Sequence, residues 1–394
     1  MVSNGGEDIR LIPSVVGGDP SKRTGVVLAK SISAKKLGIR TGEPLSSALR
    51  KCPDLFIVHP DFSLYEKNSA AFMDICRSYT PALEKFSIDE CFLDMSGTSK
   101  IYPDPIKTAF EIKDRIKNEL GFTVNIGIGS NKLLAKMASD FEKPDRVHTL
   151  FSEEIEKKLW TLPIRALFGV GASTASRLER SYVYTVGDLA KRSLKSVQAT
   201  VGSKLGQIIY NFAWGIDDSP VNGDVEQAKG YSISTTLEND VTDIKKAYAV
   251  ILTLVDNVCA RMRADKVYAY CIGVNIRSAD FRNFSHQLTL SAPTDITSEV
   301  YEIAKKLLSE LWDGHTPIRL IGLSLTSLTH DAQMQIDMFG DFQKEKNRKL
   351  DKTLDEIRNK FGRDTVVRAT TYRTENNVGK KYDAQMRMSD DEKK

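Results

Sequence analysis

Apolar and polar positions change period several times along the chain, and each change marks an element. Leu64, Phe72, Ile75 and Tyr79 recur on about one helical face, which predicts a helix over 63–79. The run Phe86-Ser87-Ile88-Asp89-Glu90-Cys91-Phe92-Leu93-Asp94-Met95 reads as two short strand-like pieces meeting at an acidic pair, bounded by Ser96-Gly97. A helix is predicted over about 104–119 and an alternating strand over 122–129. A further helix over 131–141 ends before Lys143-Pro144. This β-α-β-α order predicts an α+β layer with a half-covered sheet.

Residues 21–60 alternate short apolar runs with Gly, Pro and Lys or Arg, the pattern of a small mixed subdomain. From about 162 to 216 the pattern is all-helical with short turns, and 217–229 is polar with Pro and Gly, a linker signal. Strands at 268–276, 286–290 and 318–328 then alternate with helices at 243–264 and 297–312, a second α+β domain. A tail follows over 330–394, with a helix at 345–361 whose stripe is Leu350, Leu354, Ile357 and Phe361. Its last dozen residues have the composition of a disordered end.

Composition narrows the class without naming a function. The chain has 394 residues, 41% hydrophobic and 27% charged, ordinary values for a soluble protein of two to four domains. No run of eighteen apolar residues occurs, so a membrane span is not expected. The five cysteines (52, 76, 91, 259 and 271) have no C-x-x-C spacing and read as buried thiols of a reducing cytoplasm. The last 54 residues carry 15 Lys and Arg against 11 Asp and Glu, which accounts for the whole net charge of +4. Any nucleic-acid binding by the body must therefore come from local basic faces.

An adjacent Asp89-Glu90 inside an apolar segment is the strongest local oddity. Two carboxylates side by side need compensating cations or donors, or else must lie at a solvated strand end. Two hard Mg²⁺ ions bridged by carboxylates and substrate phosphates would supply that compensation. Phe168-Gly169-Val170-Gly171-Ala172 has glycines that would let backbone approach a phosphate at a helix N-terminus, although an ordinary helix connection fits the same residues.

Ser87-Ile88-Asp89-Glu90-Cys91-Phe92-Leu93-Asp94 resembles the S-I-D-E-A-x-L-D motif of the Y-family (translesion) DNA polymerases, with Cys91 in place of the usual Ala. Flanking stretches agree with that frame in order: 25–31, 34–39, Cys52-Pro53-Asp54-Leu55, 60–65, 127–136 and Lys143-Pro144-Asp145. The resemblance spans about 12–330. It implies a multidomain α+β right-hand polymerase: a palm (1–20 and 61–160), small fingers (21–60), a helical thumb with a helix-hairpin-helix turn (161–216), the 217–229 linker, and an α+β little finger (230–329). It implies that Asp89 and Glu90 are catalytic ligands of two Mg²⁺ ions, with Mn²⁺ as an alternative, and that Asp94 stands behind them. Lys143 then grips the phosphates of a deoxynucleoside triphosphate, and Lys35 stands where the family has an arginine for the same work. Ile32 replaces a common tyrosine. Lys offers a point charge instead of a bidentate fork, and Ile offers no hydrogen bond. A solvated basic face is the other reading of Lys35 and Lys36.

Under the same resemblance, Gly169 and Gly171 would hold primer-template DNA without reading its sequence. Arg277 and Arg282, together with Lys266, Arg261 and Arg263, would form a basic face of the little finger. Gln335-Ile336-Asp337-Met338-Phe339 resembles the bacterial β sliding-clamp peptide Q-[LI]-x-[LM]-F, in which Gln335 offers an amide and Ile336, Met338 and Phe339 offer apolar anchors. The implied protein is a cytoplasmic monomer. The family's first acidic motif, about D-x-x-x-x-[FY], has no counterpart, because Asp8 and Asp19 lack its setting. The expectation is therefore a chain missing its first palm strand, with impaired primer extension or only a DNA- and clamp-binding role.

Overall fold

The structure is a computed structural model that describes residues 8–20, 23, 25–223, 227–331, 341–362 and 365–368. Two compact units divide the chain: Met1–Ser63 together with Glu226–Lys394, and Leu64–Val225.

The first segment forms a three-stranded sheet in the order β2-β1-β3, from β1 (Ser14–Gly17), β2 (Val27–Lys30) and β3 (Phe56–Val58). β1 runs antiparallel to β2 and parallel to β3. Helices α1 (Ile32–Lys36) and α2 (Leu45–Lys51) close it over Val15, Val27, Ala34, Ile39, Leu45, Ala48 and Leu55. Ser31 starts α1 by accepting the Ala34 N–H at 3.1 Å. Ser14–Gly17, expected beside the residues after 60, is instead the middle strand of the 21–60 subdomain.

The second unit begins with α3 (Phe62–Arg77), the hairpin of β4 (Leu83–Lys85) and β5 (Cys91–Leu93), and α4 (Pro105–Leu120). Asp104 caps α4 through the N–H groups of Ile106 and Lys107, and Gly121 ends it at φ +76°. Next come β6 (Ile126–Gly129), α5 (Lys132–Ser139) and β7 (Val147–Leu150), with β6 and β7 parallel. Phe72, Met73, Ile75, Cys76, Ile112 and Ile116 bury α3 and α4 against Cys91, Leu93 and Ile126. A helical layer follows, made of α6 (Ala172–Arg180), α7 (Val186–Ala190), α8 (Leu194–Val201) and α9 (Ser203–Ala213). Leu133, Leu134 and Met137 of α5 share its core with Leu159, Ile164, Leu178, Leu189 and Ile209. That sharing fixes α5 between the two layers.

The first unit resumes with β8 (Gly230–Val241), α10 (Ile244–Ala264), β9 (Tyr268–Ser278), β10 (Asn283–Thr294), α11 (Thr297–Leu311), β11 (Ile318–Thr329) and α12 (Asp341–Phe361). Its sheet has the order β10-β9-β11-β8, antiparallel throughout. Each of α10 and α11 therefore links two parallel strands held apart by one antiparallel neighbour. β8 was not expected, although its alternation of Tyr231, Ile233 and Leu237 inward is a strand signal.

Helix α12 corrects another expectation. Of the expected apolar stripe, Leu354 and Ile357 are half-buried, but Leu350 and Phe361 are exposed at 52% and 63%. Charges also dock the helix. The buried Arg263 guanidinium of α10 donates to both Asp355 oxygens, at 2.6 and 3.1 Å, and reaches Asp351 at 3.5 Å. Asp351, 4% exposed, also accepts the Thr297 N–H at 2.8 Å and so caps α11 from another helix. Arg348 pairs with Asp295 at 3.1 Å, and Arg358 and Arg368 converge on Asp256 at 3.4 and 3.0 Å. Burial pushes the Asp351 carboxyl above its ordinary range, while the Thr297 N–H and Arg263 oppose that.

Removing Asp351 leaves Arg263 undercompensated and Thr297 uncapped. Asp351→Ala should cost about 3 kcal/mol in chemical denaturation, whereas exposed Lys352→Ala should stay within about 0.5 kcal/mol.

Candidate active site

The register of the β4–β5 hairpin places the acidic pair in its turn. Lys85 faces Cys91 and Leu83 faces Leu93, leaving 86–90 to reverse the chain. The Phe86 and Ser87 N–H groups both donate to the Glu90 carbonyl at 3.0 Å, and the Ile88 carbonyl accepts from Ser69 on α3. Asp89 is exposed, accepting the Ser87 hydroxyl at 2.7 Å, and Glu90 is half-buried. Of the two strand pieces expected within 86–95 only β5 forms there; Phe86–Ile88 belong to the turn, and the partner strand β4 precedes them.

Helix α5 supplies the counter-charges. Lys132 and Lys136 of this helix and Asp140, the residue that caps its end, lie at spacings of four along one stripe. Lys132 Nζ donates to both Glu84 oxygens at 2.7 Å and lies 5.1 Å above the Phe92 ring. Lys136 Nζ meets Glu90 Oε1 at 2.5 Å and Asp140 Oδ2 at 3.4 Å. Lys143 then meets the other Asp140 oxygen at 2.7 Å. Burial lowers the Lys136 ammonium, but Glu90 and Asp140 outweigh it and hold the group above its ordinary value. Burial raises the Asp140 carboxyl, yet Lys143 and Lys136 hold it below its usual range.

This arrangement needs two missing side chains. A Cβ on Gly127 would fall 2.0 Å from the Ala135 carbonyl oxygen, and one on Gly129 would fall 2.6 Å from the Ala135 nitrogen. Bare strand backbone thus lies directly on α5. Asn131 fixes the start of α5 by accepting the Leu134 N–H at 2.9 Å and donating to the Gly215 carbonyl at 2.8 Å.

Other expected site residues fall elsewhere. Asp94 stands at the far end of β5, about 13 Å along the strand from Glu90, and accepts the Ser96 N–H at 2.9 Å. Its bonds to Ser96 hold the carboxyl low, so it serves the following turn rather than backing the pair. Lys35 and Ile32 are exposed on α1 in the other unit. Gly169 has φ +83° and Gly171 precedes the first residue of α6, both exposed, with Val170 buried between them. Arg277 bonds Asn283 at 2.8 Å, and the exposed Arg282 pairs with Asp280 at 2.5 Å. Arg263 belongs to the buried α12 network and is not on a basic face, and Arg261 lies 5.5 Å over the Tyr231 ring. Gln335, Ile336, Met338 and Phe339 lie outside the described residues. Sequence reasoning missed Lys136 and Asp140, which follow Lys132 at successive spacings of four, the available signal.

Asp89 and Glu90 offer hard oxygen donors at an accessible turn, chemistry that suits Mg²⁺ or Mn²⁺. Among the described residues no cluster of three or more Asp, Glu, His or Cys could hold a metal.

Known proteins resemble most of the chain. Residues 5–140 match the impB/mucB/samB family, 228–338 match the C-terminal domain of that family, and 165–217 match the thumb domain of DNA polymerase-iota. The DNA polymerase IV of Clostridium acetobutylicum is 44% identical over 362 residues, covering 92% of this chain and 91% of that protein. The DNA polymerase IV of Pelotomaculum thermopropionicum is 36% identical, covering 91% and 89%. DNA polymerase IV 2 of Bacillus subtilis is 35% identical, covering 91% and 88%. Among solved structures, the Y-family DNA polymerase chimera Dbh-Dpo4(243-245)-Dbh superposes with a TM-score of 0.71 at 23% identity, over 84% of this chain and 95% of that one. These spans lend no support to the expectation of a truncated remnant.

Gly127→Ala should drive strand and helix apart, cost about 3 kcal/mol in stability and loosen the Lys136–Glu90 pair. Chemical denaturation measures the first effect, and side-chain amine shifts of Lys136 measure the second.

Proposed function

The chain belongs to the Y-family DNA polymerases of the DNA polymerase IV type, and we propose that Asp89 and Glu90 carry its nucleotidyl transfer. By family it is a DNA-directed DNA polymerase that performs translesion synthesis. The observation that supports the site is the acidic turn held open to solvent while Lys136 orients Glu90 from α5.

On this reading Asp89 and Glu90 hold Mg²⁺, two ions with Mn²⁺ as a substitute, which when bound would acidify the attacking hydroxyl and offset charge on the leaving pyrophosphate. The primer 3′-hydroxyl loses its proton and its oxygen bonds to the α-phosphorus of a deoxynucleoside triphosphate, as the bond to pyrophosphate breaks. Lys143, on an exposed stem, reaches the phosphates, and Lys35 is proposed for the same work. Residues 61–160 serve as palm, 21–60 as fingers, 161–216 as thumb and 230–329 as little finger. The backbone around Gly169 and Gly171, together with Arg277 and Arg282, holds primer-template DNA by its phosphates. The peptide Gln335–Phe339 docks on a bacterial β sliding clamp. No described helix is long and apolar enough to cross a membrane, and the protein is proposed to act as a cytoplasmic monomer.

Primer extension with Mg²⁺ tests the reading. Asp89→Ala and Glu90→Ala should each lower the rate by about a hundredfold to a thousandfold, with DNA affinity within about threefold of the parent. Full extension by Asp89→Ala would sink the assignment. A parent chain that binds DNA without extending primers would favour the non-catalytic, clamp-binding role. Phe339→Ala should weaken binding to an isolated clamp by about 2 kcal/mol, read by titration calorimetry.

A further inference from the structure

The ion pairs on α5 are unequally supplied. Lys132 has a whole carboxylate, because both Glu84 oxygens accept from it at 2.7 Å and Glu84 is further held by the Asn222 N–H at 2.8 Å. Asp140, by contrast, divides one carboxylate between two lysines: Oδ1 takes Lys143 at 2.7 Å, and Oδ2 lies 3.4 Å from Lys136. Lys136 in turn spends its closest contact, 2.5 Å, on Glu90. The result is a line of alternating charge, Glu90–Lys136–Asp140–Lys143. It begins on a proposed ligand carboxylate and ends on the lysine proposed to grip phosphate.

Such a line has two arrangements. Lys136 is only 15% exposed at its side chain, so it cannot swing freely into water. A Glu90 that gives its oxygens to a divalent cation can no longer keep an ammonium at 2.5 Å, because like charges would then share one carboxylate. Asp140 is the nearest alternative partner, 0.9 Å farther from Nζ than Glu90 is now. An Asp140 neutralised by Lys136 has less hold on Lys143, whose side chain is 57% exposed and free to extend.

We propose that Lys136 and Asp140 are positioning residues forming a counter-ion relay, through which cation binding at Glu90 releases Lys143 from Asp140 for the triphosphate of the incoming nucleotide. The relay rests on the polymerase reading above and adds an order to it: the ligand carboxylates fill first, and the phosphate grip follows. Coupling of this kind is reciprocal, so a bound nucleotide should tighten the cation site as well. Neither Lys136 nor Asp140 touches substrate, and each acts through its neighbour.

The test uses the full chain with a primer ending in a dideoxynucleotide, so nothing turns over. Binding of a deoxynucleoside triphosphate is measured by calorimetry with and without Mn²⁺, and Mn²⁺ binding to the nucleotide-free complex is measured by electron paramagnetic resonance. Asp140→Asn frees Lys143 from the start. Nucleotide affinity without metal should rise about threefold to fivefold, and its gain on adding Mn²⁺ should shrink by the same factor. Lys136→Met removes the competitor at Glu90, so Mn²⁺ should bind about tenfold tighter while nucleotide affinity without metal stays at the parent value. Lys136→Gln is the second variant should the Met side chain disturb folding, and Asp140→Ser plays that part for Asp140. Weaker metal-free nucleotide binding in Asp140→Asn, or unchanged or weaker Mn²⁺ binding in Lys136→Met, would overturn the relay. Failure of the reading beneath it looks different: Glu90→Ala would then bind Mn²⁺ and extend ordinary primers as the parent does.

Discussion

The second unit depends on how closely a strand can lie on a helix. β6 rests on α5 with no side chain between them at Gly127 and Gly129, and nothing larger fits within 2.0 Å of the Ala135 carbonyl. The apolar face of α5 is committed to the helical core through Leu133, Leu134 and Met137. Its remaining face, Lys132, Lys136 and Asp140, is thereby aimed at the β4–β5 hairpin. Among the described residues that hairpin and the β6–β7 pair are separate two-stranded sheets. Ion pairs from Lys132 to Glu84 and from Lys136 to Glu90 tie one to the other. A backbone contact therefore decides where two lysines stand, and the lysines decide how the acidic turn is held.

The carboxyl-terminal part of the first unit shows the same logic with the signs reversed. There a buried guanidinium, Arg263, needs carboxylates, and α12 brings Asp351 and Asp355 to it. Burial of such a network contributes little net stability, yet removing one member leaves the others exposed to the full desolvation penalty. The network thus specifies where the tail helix docks more than it strengthens the fold. It also removes Arg263 from any surface that could meet a phosphate.

Legibility followed the range of the interaction. The helices α3, α4, α10 and α11 were readable because their apolar faces repeat within one element, and β9 and β11 because alternation is local. The acidic pair was readable from the motif around it, from Ser87 to Asp94. Lys136 was not, because a lysine on an amphipathic helix has the same local pattern whether it faces water or a carboxylate 46 residues earlier in the chain. The α12 stripe was misread for a related reason. Arg348, Asp351, Asp355 and Arg358 share one face at spacings of three and four, but charge at helical spacing ordinarily marks the solvent side. Asp94 resembled a site residue by its place in the motif, while a three-residue strand carried it to the end of β5 away from the hairpin turn.

By itself the amino-acid order determined the elements, the family and the acidic pair, since periodicity, turn chemistry and motif spacing are written within short stretches of chain. Only the tertiary structure decided which charges meet: Lys136 with Glu90, Lys143 with Asp140, and Arg263 with Asp351 and Asp355. It also moved Ser14–Gly17 into the sheet of residues 21–60. The physical reason is that an ion pair or a strand partner is chosen by distance in space. That distance is set by the packing of apolar faces that lie far from either charge in the chain.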